Sequence, residues 1–261
     1  MLTKYPERII CLTEETTELI YLLGAGDKIV GISGFTVRPS EARETKPKVC
    51  TYLDANYDAI KKLKPDLIFA FSDMQAEIVK NLALQGYQVI VFNQRTIREI
   101  LQNILIIGSV IGKQRESEKL VKKYESRLER ISKNSKTLRI HPKVYFEEWY
   151  DPMISGISWV SELIEVAGGN DIFKELRNKK GGKDRIVKSE EVIKRNPEII
   201  IGSWCGKHFK KNIVKKREGW IKISAVKNDK LFEIKSSLIL QPGPAAITEG
   251  LNELVKIIHN N

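Results

Sequence analysis

The sequence predicts an α/β protein: two βα lobes, each around a central parallel-type sheet, bridged by one long backbone α-helix. Three observations predict it. Short β-rich runs alternate with helical patterns along the 261 residues, the second half repeats the first, and the copies are separated by one long amphipathic stretch. The expected organisation is an N-terminal lobe over 1–112, a connecting helix over 113–138 and a C-terminal lobe over 139–261.

In order, "RIICL" reads as the first strand, followed by the amphipathic helix "ETTELIYLLGAG". "DKIVGIS" is a second strand leading into a loop. "DAIKKLKPDLIFAFSD" reads as helix then strand, "MQAEIVKNLALQG" as helix and "YQVIVFN" as strand. Strands separated by helices of this length argue for parallel βα units. In the connecting stretch "KQRESEKLVKKYESRLERISKNSK", Leu120, Val121, Tyr124, Leu128 and Ile131 recur at spacings of three and four. They form one apolar stripe on an otherwise charged helix, about 35 Å long.

The repeat aligns without gaps in two places. "TELIYLLGAGD" (17–27) matches "SELIEVAGGND" (161–171), pairing Glu18 with Glu162 and Gly24 with Gly168. "YDAIKKLKPDLIF" (57–69) matches "SEEVIKRNPEIII" (189–201), pairing Pro65 with Pro197. In each copy a helix ends at a glycine that tolerates positive φ. A second helix stops near a proline, and an apolar strand that needs cover on both faces follows. Two matches in the same order point to a duplicated lobe. At the head of the second lobe, "VYFE" reads as a strand and "EEWYDP" as the loop after it.

Composition bounds the function. The chain is 42% hydrophobic and 30% charged, as soluble globular proteins are. Its longest apolar runs fall short of the roughly 20 residues of a membrane span. Net charge is +11, with 44 Lys and Arg against 33 Asp and Glu. The basic residues are scattered among acids and along helix faces, without zinc-finger spacing or an RNP-like aromatic motif, so a nucleic-acid partner is not expected. Cys11, Cys50 and Cys205 are an odd, irregularly spaced set that implies no disulfide framework. The start, "MLTKYPERII", has no signal-peptide apolar core. The expected compartment is therefore cytoplasmic for the chain as given, and periplasmic or membrane-tethered if a leader has been removed.

Two βα lobes joined by a long helix, with these repeats, resemble the helical-backbone class of substrate-binding proteins that serve ABC importers for cobalamin, haem and ferric siderophores. The likeness rests on "PERIICLTEETTELIYLLGAGDKIVGIS", "NYDAIKKLKPDLIFA", "SELIEVAGGNDIF", "KSEEVIKRNPEIII" and "AVKNDKLFEIKSSLILQPGPAA", which together span nearly the whole chain. It is nearest the cobalamin-binding branch. The resemblance implies a ligand cleft between the lobes, lined by loops after the strand C-termini. It also implies capture of a corrinoid, or a similarly large metal chelate such as a ferric siderophore, for delivery to an ABC permease and ATPase. The protein is expected to act as a monomer with no cofactor, no metal site and no enzymatic activity. The alternative of the same fold is a cytoplasmic small-molecule carrier or sensor.

Under this resemblance the loop after "VYFE" brings Glu148, Trp149, Tyr150 and Asp151 to the cleft, Trp149 offering a flat apolar face and the acids orienting polar edges. The alternative is a surface turn closed by Asp151-Pro152 with Trp149 packed locally. Glu14 and Glu15 follow the first strand, where Thr13 or Thr16 can cap the helix. Phe35 and Arg38 sit where family members place ligand contacts, Arg38 being suited to bidentate contacts or, alternatively, to a surface ion pair. Tyr52 falls where cobalamin binders carry an aromatic that stacks on the corrin ring. Asp73, Asn93, Gln94 and Arg95 lie in further strand-end loops. Trp204, in "GSWCGKHF", faces Trp149 or else fills the core, and Gln241 reaches the rim ahead of Pro-Gly-Pro. Asp58 and Glu190, equivalent by the repeat, are the candidate acids for arginines of a permease; the helix dipole alone also favours them there. An enzyme reading rests on Cys205 and His208 as a reactive C-x-x-H pair or half a metal site. The other histidines, His141 and His259, are poorly placed to complete it.

Overall fold

Three fully buried residues, Ile9–Cys11, form β1 at the centre of the first sheet. The structure, a computed structural model, describes residues 4–179 and 181–260. The outer ends expected for the two lobes, residues 1 and 261, lie outside that range. From β1 the chain proceeds through α1 (Glu14–Leu22), β2 (Ile29–Ser33), α2 (Ser40–Thr45), β3 (Lys48–Cys50) and α3 (Tyr57–Leu63). It continues with β4 (Leu67–Phe71), α4 (Ala76–Leu84), β5 (Val89–Phe92) and α5 (Ile97–Val110). The strand order is β3-β2-β1-β4-β5, with every pairing parallel. Helical connections between parallel neighbours leave no strand of the centre wet, which is why Ile9–Leu12 and Leu67–Ala70 are unbroken apolar runs. Ile10, Leu12, Val49, Ile60, Ile68 and Leu82 pack into one buried cluster.

α6 (Gln114–Ser135) is 22 residues long. It bears Val121 and Tyr124 among its buried residues and crosses the boundary between the chain's two compact units. The first unit runs to Gln94 and includes Arg98–Lys123; the second comprises Arg95–Ile97 and the chain from Tyr124 onward.

The second unit contains β6 (Lys143–Tyr150), β7 (Met153–Ser155), α7 (Ser158–Val166), β8 (Asn170–Asp171), α8 (Ser189–Arg195) and β9 (Ile199–Gly202). It ends with α9 (Lys211–Lys215), α10 (Ser224–Lys227), β10 (Leu231–Glu233), α11 (Ser236–Ile239) and α12 (Leu251–His259). The sheet order is β10-β9-β6-β7, and β8 pairs with the start of β6. All pairings are parallel except β6–β7. Gly202 closes β9 because a side chain there would collide with the Phe209 ring; a Cβ would sit 1.8 Å from it.

The duplicated motifs coincide in conformation. Gly24 and Gly168 end α1 and α7 at φ of 69° and 90°, values that cost glycine little. Lys64 and Asn196 cap α3 and α8 in the left-handed region at φ of 47° and 48°. Each stands before a proline, which disfavours helical backbone at the preceding residue.

One expectation needs correcting. "EEWYDP" is not a loop: β6 continues through Glu147, Glu148, Trp149 and Tyr150, and only Asp151-Pro152 make the turn into antiparallel β7. The register shifts between Glu147 and Trp149, so the hairpin carries a local irregularity at the acids. The polar residues of the strand are tolerated because each finds a distant partner.

Candidate functional site

In a parallel sheet all strands finish on one edge, so the segments following them converge. In the first lobe these segments bring together Glu14, Phe35 and Tyr52. The Phe35 and Tyr52 rings lie 5.2 Å apart at 31°. The Tyr52 hydroxyl donates to the Glu14 carboxylate, with Oε2 at 3.1 Å. Phe35 is 49% exposed, and Leu53 and Met74, on the segments after β3 and β4, are exposed as well. Asp73 opens a single 3-10 turn on the latter segment, where the Ser72 hydroxyl accepts from the Met74 N–H. Gln75 anchors that turn: its amide donates to the Leu12 carbonyl and accepts from the Phe71 N–H.

Glu15 is buried beside this group. Thr13 stands at the N-cap of α1 but does not cap it; its hydroxyl donates to Glu15 at 2.7 Å instead, and Thr16 donates to the Thr13 carbonyl. Loss of solvation, with the Glu14 charge adding to it, pushes the Glu15 carboxyl up to about 8, against the opposing Thr13 hydrogen bond. Arg38 donates to Glu18 at 2.9 Å and lines a groove of about 520 Å³ with Tyr21 and Leu22. Arg95 and its neighbours Thr96 and Ile97 group with the second unit, where the Ile97 N–H donates to Glu162 of α7 at 2.7 Å. Arg95 and Thr96 are partly buried, while Gln94 is buried and Asn93 exposed.

In the second lobe, side chains alternate across β6, and each acid is held by an arginine. Glu147, fully buried, takes a bidentate pair from Arg217 at 2.6 and 2.9 Å. The Trp204 indole and the Tyr145 hydroxyl also donate to it, at 3.0 and 3.1 Å. Glu148 takes a bidentate pair from the buried Arg185 at 2.7 and 3.1 Å. It is thus a strut joining β6 to the segment before α8, where the sequence suggested a ligand-orienting acid. Of the two places expected for Trp204, the structure shows the core one: it is 2% exposed and belongs to the core cluster, because its ring packs on Tyr150 and Phe209 and its indole N–H finds Glu147.

What β6 presents at its end is Trp149 and Tyr150. Ring centres run from Trp149 to Tyr150 at 5.2 Å, to Trp204 at 4.6 Å and to Phe209 at 5.1 Å, a ladder from the surface into the core. The Trp149 indole donates to the Asp151 carbonyl at 2.9 Å. Lys207 closes the group, its ammonium donating to the Tyr150 hydroxyl at 3.0 Å. It also stands 5.0 Å from the Trp149 ring centre and 5.2 Å from that of Tyr150. Lys207 lies inside "GSWCGKHF" but escaped sequence reasoning, which has no means of seeing a lysine over two rings from another strand. Gln241, partly buried, sits in a backbone turn closed by the Gly243 N–H.

Asp58 and Glu190 are both exposed and both occupy the second position of their helices, α3 and α8. The three histidines have structural partners. His141 and His259 contact the Gly168 and Ala167 carbonyls, and His208 faces Glu233 at 3.4 Å. Among the described residues no group of three or more His, Cys, Asp or Glu could hold a metal ion. No helix among them is long and apolar enough to cross a membrane.

Comparison with known proteins gives a consistent result. A family profile described as periplasmic binding protein matches residues 9–238. An uncharacterized ABC transporter substrate-binding lipoprotein, YvrC of Bacillus subtilis (strain 168), is 29% identical over 266 residues, covering 98% of this chain and 81% of that protein. The vitamin B12-binding protein of Vibrio cholerae is 27% identical over 246 residues, covering 92% and 85%. Among solved structures, a possible iron-binding (periplasmic solute-binding) protein from Staphylococcus epidermidis superposes with a TM-score of 0.83 at 26% identity, over 98% of this chain and 100% of that one.

Proposed function

The chain belongs to the periplasmic binding protein family, and on that premise we propose that it captures a corrinoid, or a metal chelate of comparable size, and delivers it to an ABC importer. The relatives are binding proteins rather than enzymes, and the one reactive-looking pair, Cys205 and His208, has its imidazole turned to Glu233. The observation that carries the ligand class is the aromatic surface at the strand ends of each lobe. Phe35 and Tyr52 are tied to Glu14 in the first lobe; Trp149 and Tyr150 are tied to Lys207 in the second. Such faces suit a large flat ligand, since rigid rings bury apolar area with little loss of rotamer freedom. Glu15, Arg38, Asp73, Arg95 and Gln241, on segments that follow strands, are the further polar groups this reading assigns to the ligand. In delivery, Asp58 and Glu190 meet arginines of the permease.

The test is titration with cobalamin, cobinamide, haem and ferric siderophores, read by tryptophan fluorescence and by equilibrium dialysis. Trp159, Trp204 and Trp220 are buried while Trp149 is partly exposed, so quenching should disappear in Trp149→Phe. Retention of none of these ligands on dialysis overturns the reading.

A further inference from the structure

We propose that the second lobe selects for negative charge: the natural ligand is an anionic chelate whose carboxylate or catecholate oxygens meet the Lys207 ammonium above the Trp149 and Tyr150 rings. This rests on the preceding reading that the strand-end face of this lobe is a ligand surface, and it narrows the ligand's chemistry.

The first support is the way Lys207 is held. A surface lysine is ordinarily a mobile, fully hydrated charge on a flexible stem. Here the ammonium is positioned by two ring faces, at 5.0 and 5.2 Å, and by the Tyr150 oxygen at 3.0 Å. Ring quadrupoles orient a cation without neutralising it. The phenol takes one of the three ammonium donors, leaving two for a ligand. Among the described residues no carboxylate pairs with Lys207. The charge is therefore fixed in place and uncompensated.

The second support is the wall around it. Tyr150, Gly206, Lys207, His208 and Lys210 line a hollow of about 350 Å³. From Ser203 to Arg217 the sequence has five lysines and one arginine and no acid. Two of these six cations are neutralised, Lys215 by Asp229 at 2.8 Å and Arg217 by Glu147. Lys211 also acts on the Asp229 carboxylate, whereas Lys207, Lys210 and Lys216 have no carboxylate partner among the described residues. An aromatic floor beneath unpaired ammonium groups matches a ligand with both aromatic faces and anionic oxygens. It offers a neutral corrinoid only the floor, and it repels a cationic chelate.

The experiment measures affinity of the intact chain for haemin, a ferric tricatecholate, ferric citrate, neutral cyanocobalamin and cationic ferrioxamine, by equilibrium dialysis at two salt concentrations. The anionic chelates should bind most tightly and weaken as salt rises. Lys207→Ala should reduce their affinity about tenfold, Lys207→Glu further, and Lys207→Arg little, with the urea midpoint unchanged because the side chain is exposed. If cyanocobalamin or ferrioxamine binds tightest, or Lys207→Ala leaves the anionic chelates unaffected, charge selection is wrong while the chelate-binding reading stands. If no chelate of any charge binds, both fall.

Discussion

Arg217 holds the buried carboxylate of Glu147 with two hydrogen bonds, 2.6 and 2.9 Å long, across 70 residues of sequence. The pair also receives Trp204 and Tyr145, so the carboxylate is the common acceptor of four side-chain bonds beneath the Trp149–Tyr150 face. Removing one partner of a buried pair strands the other charge in the core. Glu147→Ala should cost about 3–5 kcal/mol, read as a lower urea midpoint. Arg217→Lys should cost less but not nothing, because an ammonium cannot reproduce the two-pronged contact. A midpoint unchanged in Glu147→Ala would contradict this account of the lobe.

Trp149 and Trp204 should separate binding from stability. Trp204 is buried among Tyr150 and Phe209, and Trp204→Ala should cost about 3–5 kcal/mol by the cavity it leaves. Trp149 is partly exposed, so Trp149→Ala should weaken ligand binding with a much smaller loss of stability, no more than about 1–2 kcal/mol. The opposite pattern in the two variants would reverse their assignments.

The roles of these two tryptophans show what sequence alone can carry. The βα alternation and the repeat were legible because they are local: an apolar run, a helical stripe, and glycines and prolines at helix ends. That α3 and α8 end at Lys64 and Asn196 follows from the prolines after them. The continuation of β6 through Glu147 and Glu148 was not legible, because acids read as loop until the arginines that pair with them are seen. Arg185 and Arg217 lie 37 and 70 residues away. Trp204 likewise reads as exposed or buried with equal ease until Glu147 is seen to accept its indole. Lys207 was passed over for the same reason, its meaning residing wholly in what it stands above.

Thiol reactivity should divide the three cysteines. Cys11 and Cys50 are buried, and loss of solvation pushes both up to about 12, so neither has appreciable thiolate at neutral pH. Cys205 is exposed. A chromogenic disulfide reagent at pH 8 should label one thiol per folded chain and three in denaturant. Two or more fast-reacting thiols in the folded protein would mean that the first lobe opens far more readily than its packing implies.

Charge reversal at Asp58 and Glu190 should divide docking from capture. Both are exposed at the starts of short helices, and reversal forfeits a helix-dipole contribution of only about 0.3–1 kcal/mol each. Asp58→Arg with Glu190→Arg should abolish pull-down of the cognate permease and leave ligand affinity intact. Undiminished pull-down by the double variant would assign docking to other residues.

Glu15 should make the first lobe less stable as pH rises. It is an acid whose folded value, about 8, lies above its ordinary 4.5, chiefly because burial disfavours the charged form. Between those values the folded protein keeps a proton that the unfolded chain releases. The contribution is therefore fully present below about pH 4.5 and is lost as pH rises towards 8, with a slope of at most about 1.4 kcal/mol per pH unit. Asp171, also raised by burial, acts in the same direction, so the effect of Glu15 is isolated by difference. Glu15→Gln retains an acceptor for the Thr13 hydroxyl and cannot ionise. Its urea midpoint should match the unsubstituted protein near pH 5 and exceed it at pH 8. A constant difference between the two proteins across that range would mean that Glu15 is already charged in the folded state, and that solvent reaches the start of α1.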